Sequence, residues 1–164
     1  KQRNVLRAIT KELRKNGVVQ LHDIVDEKEY SLLVNNIRKS KCKNSYIPDK
    51  QRYNYAKLNM QKTDDELLNL LTALGISVRG ATILQFGAGD YTILHDSMKA
   101  GTAVFLDCTP AWDDRWGGKL VLKDSGDTIV PSAKNTLIVA RNTKLFVQYV
   151  NHKAKQQKCL IMLS

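Results

Sequence analysis

Lysines, arginines and tyrosines are interleaved between residues 38 and 57, and these residue types in one run could do binding chemistry. Basic side chains contact phosphates and tyrosine rings stack on bases, so the run could form a nucleic-acid-binding surface. It could equally be a solvated loop with an exposed edge strand whose lysines prevent strand-to-strand aggregation. The candidate binding residues are Lys39, Lys41, Lys43, Arg52, Tyr53 and Tyr55.

The charge of the chain is concentrated in the same region. The net charge of the 164 residues is +10. Residues 1–62 hold 15 lysines and arginines against 6 acids, a net of +9, whereas residues 63–164 hold 11 against 10, a net of +1. A nucleic acid (RNA or DNA) or an acidic protein is therefore the expected partner of the N-terminal third. No zinc-ligand spacing or phosphate-binding loop makes this expectation more specific.

The histidines and cysteines form no metal-binding pattern by spacing alone. His22 is isolated along the chain, and an isolated histidine usually has a structural or surface role. The cysteines are odd in number and far apart, which favours a reducing, intracellular compartment. They are Cys42, Cys108 and Cys159.

Four stretches of the C-terminal half occur in an informative order. They are 84–91 (LQFGAGDY) followed by 95–97 (HDS), 106–112 (LDCTPAW) followed by 116–120 (WGGKL), 130–131 (VP), and 146–150 (FVQYV) followed by Lys158. Together they resemble the double-stranded β-helix domain of 2-oxoglutarate and iron(II)-dependent oxygenases, in the prolyl-hydroxylase-like branch. The most specific piece is the tryptophan, short acidic loop and Gly-Gly pair that lead into a strand.

This resemblance implies a metal site and a cosubstrate site. Two histidines and an aspartate would hold iron(II), and a basic residue would hold the far carboxylate of 2-oxoglutarate. His95 matches the first ligand, but Ser97 stands at the aspartate position and Leu145 at the distal histidine position. Lys158 matches the basic residue, and Tyr91 belongs to the same cosubstrate set. The site is therefore expected to be vestigial, with neither iron nor 2-oxoglutarate bound.

Two other interpretations remain open. In an active dioxygenase that uses iron(II) and 2-oxoglutarate, Asp96 would coordinate after a one-residue shift and His152 would supply the distal imidazole. Such a shift turns a strand side chain to the other face. An unrelated basic nucleic-acid-binding domain is the third interpretation. Of the three interpretations, we expect the one with a vestigial site. The chain would then be a degenerate, non-catalytic domain that acts as a basic binding or scaffolding subunit of a larger complex, away from membranes.

The elements that must position these residues change type along the chain. Apolar spacing predicts helices at 4–16, 26–39 and 64–74, a short strand at 18–21, and a loop with one exposed strand between 38 and 62. Eight short β-rich runs then follow to the end, separated by glycine and proline. This order predicts an α+β single domain, 1–164, of double-stranded β-helix (jelly-roll, cupin-like) type. Residues 1–75 would form the basic helical support and 76–164 the core.

Alternate apolar positions on these strands predict the core. We expect Trp112 and Trp116 to brace the turn before Gly117 and Gly118. The composition, 43% hydrophobic and 26% charged, is that of a globular domain, and no apolar run reaches the ~18–20 residues that a spanning helix needs. The residues expected to be buried are Leu84, Phe86, Val104, Leu106, Leu120, Leu122, Leu137, Val139, Val147 and Ile161.

Overall fold

Three helices and eleven strands make up a computed structural model that describes residues 2–58, 65–92, 102–123, 127–141 and 144–164. The helices are α1 (Gln2–Asn16), α2 (Glu27–Lys39) and α3 (Asp65–Ala73). The strands are β1 (Val18–His22), β2 (Lys43–Ile47), β3 (Gln51–Leu58), β4 (Ala81–Phe86), β5 (Tyr91–Thr92), β6 (Thr102–Asp107), β7 (Leu120–Lys123), β8 (Asp127–Val130), β9 (Thr136–Arg141), β10 (Lys144–Val147) and β11 (Lys158–Leu163).

The described strands join one curled antiparallel sheet. The order across it is β1-β9-β6-β11-β4-β3-β5-β10-β7-β8, and β2 pairs with β3. β3 joins the two halves, because residues 54–58 pair with β4 whereas Gln51 and Arg52 pair with β5. Apolar side chains from both halves meet in one interior cluster. The predicted double-stranded β-helix fold is therefore confirmed.

Side chains alternate between the barrel interior and the helices along the strands of the larger half. On β6, Ala103 and Phe105 belong to the interior cluster, whereas Val104 and Leu106 pack beneath the helices. The pleat of a strand imposes this period of two. All of the residues expected in the core are buried except Leu84, which is half-buried beside an interior cavity.

The helices lie against one face of the larger half. α1 packs on β1 and β9, while α2 and α3 bury apolar side chains against the sheet. No helix among the described residues is long and apolar enough to cross a bilayer. The buried residues of α2 and α3 are Leu33, Ile37, Leu67 and Leu71.

The segment between α2 and α3 differs from its prediction. A loop with one strand was expected, but two strands, β2 and β3, form a hairpin in register from Lys43–Tyr55 to Ile47–Gln51. Asp49 closes the turn with a φ of 61°. The prediction is wrong here because β2 is largely exposed on both faces, so no alternation of apolar and polar residues marks it as a strand.

Candidate functional site

One end of the barrel interior is apolar and is centred on Leu145. This residue lies on β10, opposite Leu122 of β7, and is 3% exposed. A cavity of about 90 Å³ lies beside it. Hydrocarbon side chains form most of the wall, so this end offers few polar groups to a ligand. The lining residues are Tyr53, Leu84, Phe86, Thr92, Phe105, Leu120, Leu145, Phe146, Val147, Leu160 and Met162.

β5 precedes the other proposed ligand positions along the chain. Its Thr92 pairs with Val147 of β10, and the Val147 N–H donates to Thr92 Oγ1 at 3.0 Å. Tyr91, the predicted cosubstrate neighbour, is half-buried and pairs with Arg52 of β3. The structure therefore places β5 directly beside β10. Three of the predicted positions lie outside the described residues, namely His95, Asp96 and Ser97.

The described side chains do not fit a facial iron(II) site. Such a site needs two imidazoles and a carboxylate, and Leu145 has no lone pair to donate. Among the described residues, no three histidine, cysteine, aspartate or glutamate side chains are grouped closely enough to hold a metal. His152, the alternative distal ligand, is exposed, and its Nε2 lies 2.8 Å from the Tyr149 hydroxyl. The imidazole therefore has a surface partner instead of a place in the interior.

Further along the interior face of β11, the barrel holds a buried cation. Lys158 is 1% exposed, and its Nζ donates to Ser132 Oγ at 3.1 Å. The Ser132 hydroxyl donates to Asp107 Oδ2 at 3.4 Å, and the same carboxylate accepts from the N–H groups of Thr109 at 2.9 Å and Ala133 at 3.1 Å. Burial lowers the pKa of the Lys158 ammonium, and the negative charge of Asp107 opposes this shift. We call Lys158, Ser132 and Asp107 the buried polar chain.

The tryptophan and glycine turn lies next to the buried polar chain. Trp112 Nε1 donates to the carbonyl of Gly117 at 3.0 Å, and its ring meets Trp116 edge to face at 5.1 Å. Gly117 has a φ of 71°, and a Cβ there would collide with the Tyr149 carbonyl oxygen. The Trp112 ring also packs against the interior cluster. The predicted bracing of this turn is confirmed.

Solved structures share this architecture over nearly the whole chain. A prolyl-4-hydroxylase from Pseudomonas putida matches with a TM-score of 0.75 and 12% identity, covering 96% of this chain and 97% of that one. A 2OG-Fe(II) oxygenase family oxidoreductase from Burkholderia pseudomallei matches with a TM-score of 0.76 and 14% identity, covering 96% and 89%. A prolyl hydroxylase from Trichoplax adhaerens, solved with a peptide fragment of the hypoxia inducible factor oxygen degradation domain, gives 0.72 and 12%, covering 99% and 90%. The chain has the fold of the 2-oxoglutarate and iron(II)-dependent oxygenases.

This chain shares the oxygenase fold with proteins whose sequences differ from it at most positions. The solved structures named above are 12–14% identical to this chain. No family model matches the chain, and no curated protein matches it by sequence. A shared fold does not determine the reaction, so the function depends on the side chains at the site.

The hairpin of β2 and β3 divides the predicted basic and aromatic residues between its two faces. Alternate strand positions point to opposite faces, so Tyr53 and Tyr55 share one face and Arg52 lies on the other. Lys43 pairs with Tyr55 across the hairpin. Arg52 Nε lies 3.4 Å from the Asp90 carboxylate, and Tyr53 is half-buried and lines the interior cavity. The two remaining candidates are exposed beside the hairpin: Lys39 ends α2, and Lys41 follows that helix.

Sequence reasoning misses two members of the buried polar chain. Asp107 ends the apolar strand β6, and a lone carboxylate at the end of a buried strand is a usable signal, because acids are rarely buried without partners. Ser132 carries no comparable signal. Its bond to Asp107 joins residues 25 positions apart, and only the curled sheet brings them together.

Proposed function

We propose that this chain is a non-catalytic domain with the oxygenase fold that serves as a basic binding or scaffolding subunit. The proposal depends mainly on Leu145, a buried hydrocarbon side chain at the position that the resemblance assigns to the distal histidine. A facial site owes its affinity for iron(II) to two imidazoles and a carboxylate held together. With Ser97 at the carboxylate position, His95 is the single donor left.

The surroundings of Leu145 support the loss of this site. A ligating imidazole is usually oriented by a second hydrogen bond from its other ring nitrogen to a carboxylate, carbonyl or water. The cavity wall beside Leu145 is mostly hydrocarbon, so an imidazole there would have few partners. A buried polar group without a partner is costly. The interior around this position therefore suits a hydrocarbon side chain better than a ligating imidazole.

The buried polar chain also supports a non-catalytic role. The resemblance assigns Lys158 to the far carboxylate of 2-oxoglutarate. Here its ammonium already donates to Ser132, and the Asp107 carboxylate provides a countercharge inside the protein. Partners within the protein therefore stabilise the Lys158 ammonium in part, although burial still lowers its pKa.

The basic N-terminal third is the region that we propose for binding a partner. It carries a net charge of +9, and a nucleic acid is the proposed partner. An acidic protein is the competing possibility that binding measurements would reveal. Lys39, Lys41, Lys43 and Tyr55 are exposed and available for contact, whereas Arg52 is paired with Asp90.

A metal titration tests the loss of catalysis. Calorimetry with Mn²⁺ in the presence of 2-oxoglutarate should show no micromolar binding to the wild-type chain, and incubation with iron(II) and 2-oxoglutarate should release no succinate. The double variant Ser97→Asp and Leu145→His is the matched control, since it restores the ligand types of the family and should bind the metal more tightly than the wild type. Micromolar binding with succinate release by the wild type would instead establish an active dioxygenase.

A further inference from the structure

Helix α1 carries a row of cations along one side. Its basic residues recur at spacings of three or four, which places them within an arc of about 120° and along about 18 Å of helix. All of them are exposed. In the part of the chain that the structure describes, none of them forms an ion pair. The row, called the α1 stripe below, consists of Arg3, Arg7, Lys11, Arg14 and Lys15.

The opposite side of α1 is fixed to the sheet. Ile9 is 4% exposed, Leu6 and Leu13 are half-buried, and the helix packs on β1 and β9. Glu12, the one acid of α1, lies outside the arc and accepts a hydrogen bond from Asn16. The α1 stripe is therefore held toward solvent, and the apolar side of the helix is not free to insert into a lipid surface.

The N-terminal part of the α1 stripe is unfavourable for the helix that carries it. Arg3 lies in the first turn, which holds no acid, and a cation there opposes the helix dipole. Arg3 and Arg7, Arg7 and Lys11, and Lys11 and Lys15 are like-charge pairs four residues apart, a spacing that destabilises a helix. α2 has two glutamates in its first turn, whereas both helices have basic residues in the last turn, where cations complement the dipole; in α1 these are Arg14 and Lys15. Residues that break local rules without compensation inside the fold point to a role outside it.

We infer that the α1 stripe binds the phosphate backbone of a nucleic acid without reading its bases. The inference rests on the proposed function and gives the basic third a defined contact surface. Cations in a row are what backbone contact requires. Protein interfaces usually combine arginine with buried aromatic anchors, and the α1 stripe contains no aromatic residue. A nucleic acid therefore fits this surface better than an acidic protein does.

Three triple variants with equal loss of charge test the assignment. The stripe variant is Arg3→Gln, Arg7→Gln and Lys11→Gln. The hairpin variant is Lys39→Gln, Lys41→Gln and Lys43→Gln. The control variant changes exposed lysines of the C-terminal half, Lys134→Gln, Lys153→Gln and Lys155→Gln. Fluorescence anisotropy measures binding of each full chain to a labelled single-stranded RNA of about 20 nucleotides between about 50 and 200 mM salt, and each melting temperature is recorded.

The size of each effect follows from one phosphate contact for each of the five stripe residues. Wild-type affinity should fall about 100-fold between about 50 and 200 mM salt, since each contact contributes about −0.7 to the logarithmic slope. The stripe variant should lose about tenfold or more in affinity at the lower salt, and its slope should shrink by about two. Its melting temperature should stay equal or rise, because like-charge repulsion is removed. The control variant should remain within about threefold of the wild type, and the hairpin variant should lose less affinity than the stripe variant, on the same contact arithmetic.

Two results would overturn the inference while leaving the proposed function standing. One is full RNA binding by the stripe variant with loss of binding in the hairpin variant. The other is wild-type binding to polyglutamate, used as a model acidic chain, without binding to RNA. Failure of the wild type to bind RNA, polyglutamate or phosphatidylserine vesicles would refute both the inference and the partner-binding half of the proposed function. The metal titration tests the non-catalytic half of the proposed function, and its outcome does not depend on any of these binding results.

Discussion

The two ends of the barrel interior are buried alike but differ in chemistry. Leu145 is 3% exposed among hydrocarbon side chains, and Lys158 is 1% exposed beside Ser132 and Asp107. An apolar group needs no partner when it is buried, whereas a buried charge needs hydrogen bonds and a countercharge. The comparison teaches that one barrel interior can meet the requirements of burial in two ways. Hydrocarbon fills the end at Leu145, while the cation at the other end has hydrogen-bonding partners.

Breaking the buried polar chain should have the largest effect. Asp107→Ala removes the countercharge of Lys158 and the acceptor of three donors, which should lower the free energy of unfolding by about 3–5 kcal/mol. Lys158→Met should cost clearly less, because the Asp107 carboxylate keeps the N–H groups of Thr109 and Ala133. Urea denaturation of both variants gives the comparison. A loss below about 1 kcal/mol for Asp107→Ala would mean that the ammonium does not depend on this carboxylate.

The tryptophan turn next to the buried polar chain should show the next largest effect. Trp112→Ala removes a ring that packs on the interior cluster and donates to Gly117, and it should lower the free energy of unfolding by about 3 kcal/mol or more. Trp116→Ala is the matched control and should cost less, because Trp116 lies outside the interior cluster. Chemical denaturation followed by circular dichroism measures both. Changes under about half a kcal/mol at both positions would show that the turn is only a surface loop.

At the apolar end, shortening the central side chain should have a smaller effect. Leu145→Ala should lower the free energy of unfolding by about 2 kcal/mol, the low end for such a truncation, because a cavity already lies beside the side chain. Leu145→Met keeps the volume and should stay within about 1.5 kcal/mol of the wild type. Thermal melts of the two variants test this order. Equal losses of stability in the two variants would indicate that the shape of the side chain at this position, and not its volume, determines how well it packs.

The smallest effect should be a pH dependence that belongs to the Lys158 end alone. Burial lowers the pKa of native Lys158 below its ordinary value of 10.5. Between the lowered and the ordinary pKa the unfolded chain binds more protons, so Lys158 makes stability rise with pH. The buried thiol of Cys159, whose pKa is raised to about 12, acts in the opposite direction in wild type and variant alike. The free energy of unfolding of the wild type minus that of Lys158→Met should therefore increase at alkaline pH, and a flat difference would contradict the assignment.

Most of the fold could be predicted because its signals are local. β6, β9 and β11 are apolar runs with breaks on both sides, and their bounds agree to within one residue with the runs that the sequence predicts at 102–108, 136–140 and 158–163. Strand alternation also identifies nine buried core residues correctly, but it misses the other face of the central strands, because β6 and β9 are buried on both faces. Leu84 departs from this pattern because the cavity beside it leaves its side chain half-buried.

The site could be predicted only in part because its contacts are not local. The family resemblance marks Leu145 and Lys158, but nothing in the sequence indicates that Lys158 donates to Ser132 or that Ser132 donates to Asp107. Those contacts exist because β11 lies between β6 and β4 in the sheet. Residue type alone likewise marks the candidate binding residues of the hairpin, and only the alternation along β3 places Arg52 on the face opposite Tyr55.

The central position of β11 has a consequence for folding during synthesis. Leu160 pairs on one side with Leu84 and on the other with Asp107, so the last described strand completes the middle of the larger half. Until β11 has been synthesised, β4 and β6 each have one unpaired edge, and such edges promote misassembly. Pairing between strands so distant along the chain also slows folding. We therefore expect a ribosome-bound chain that stops before β11 to be protease-sensitive and prone to chaperone capture, and to become resistant once β11 has emerged.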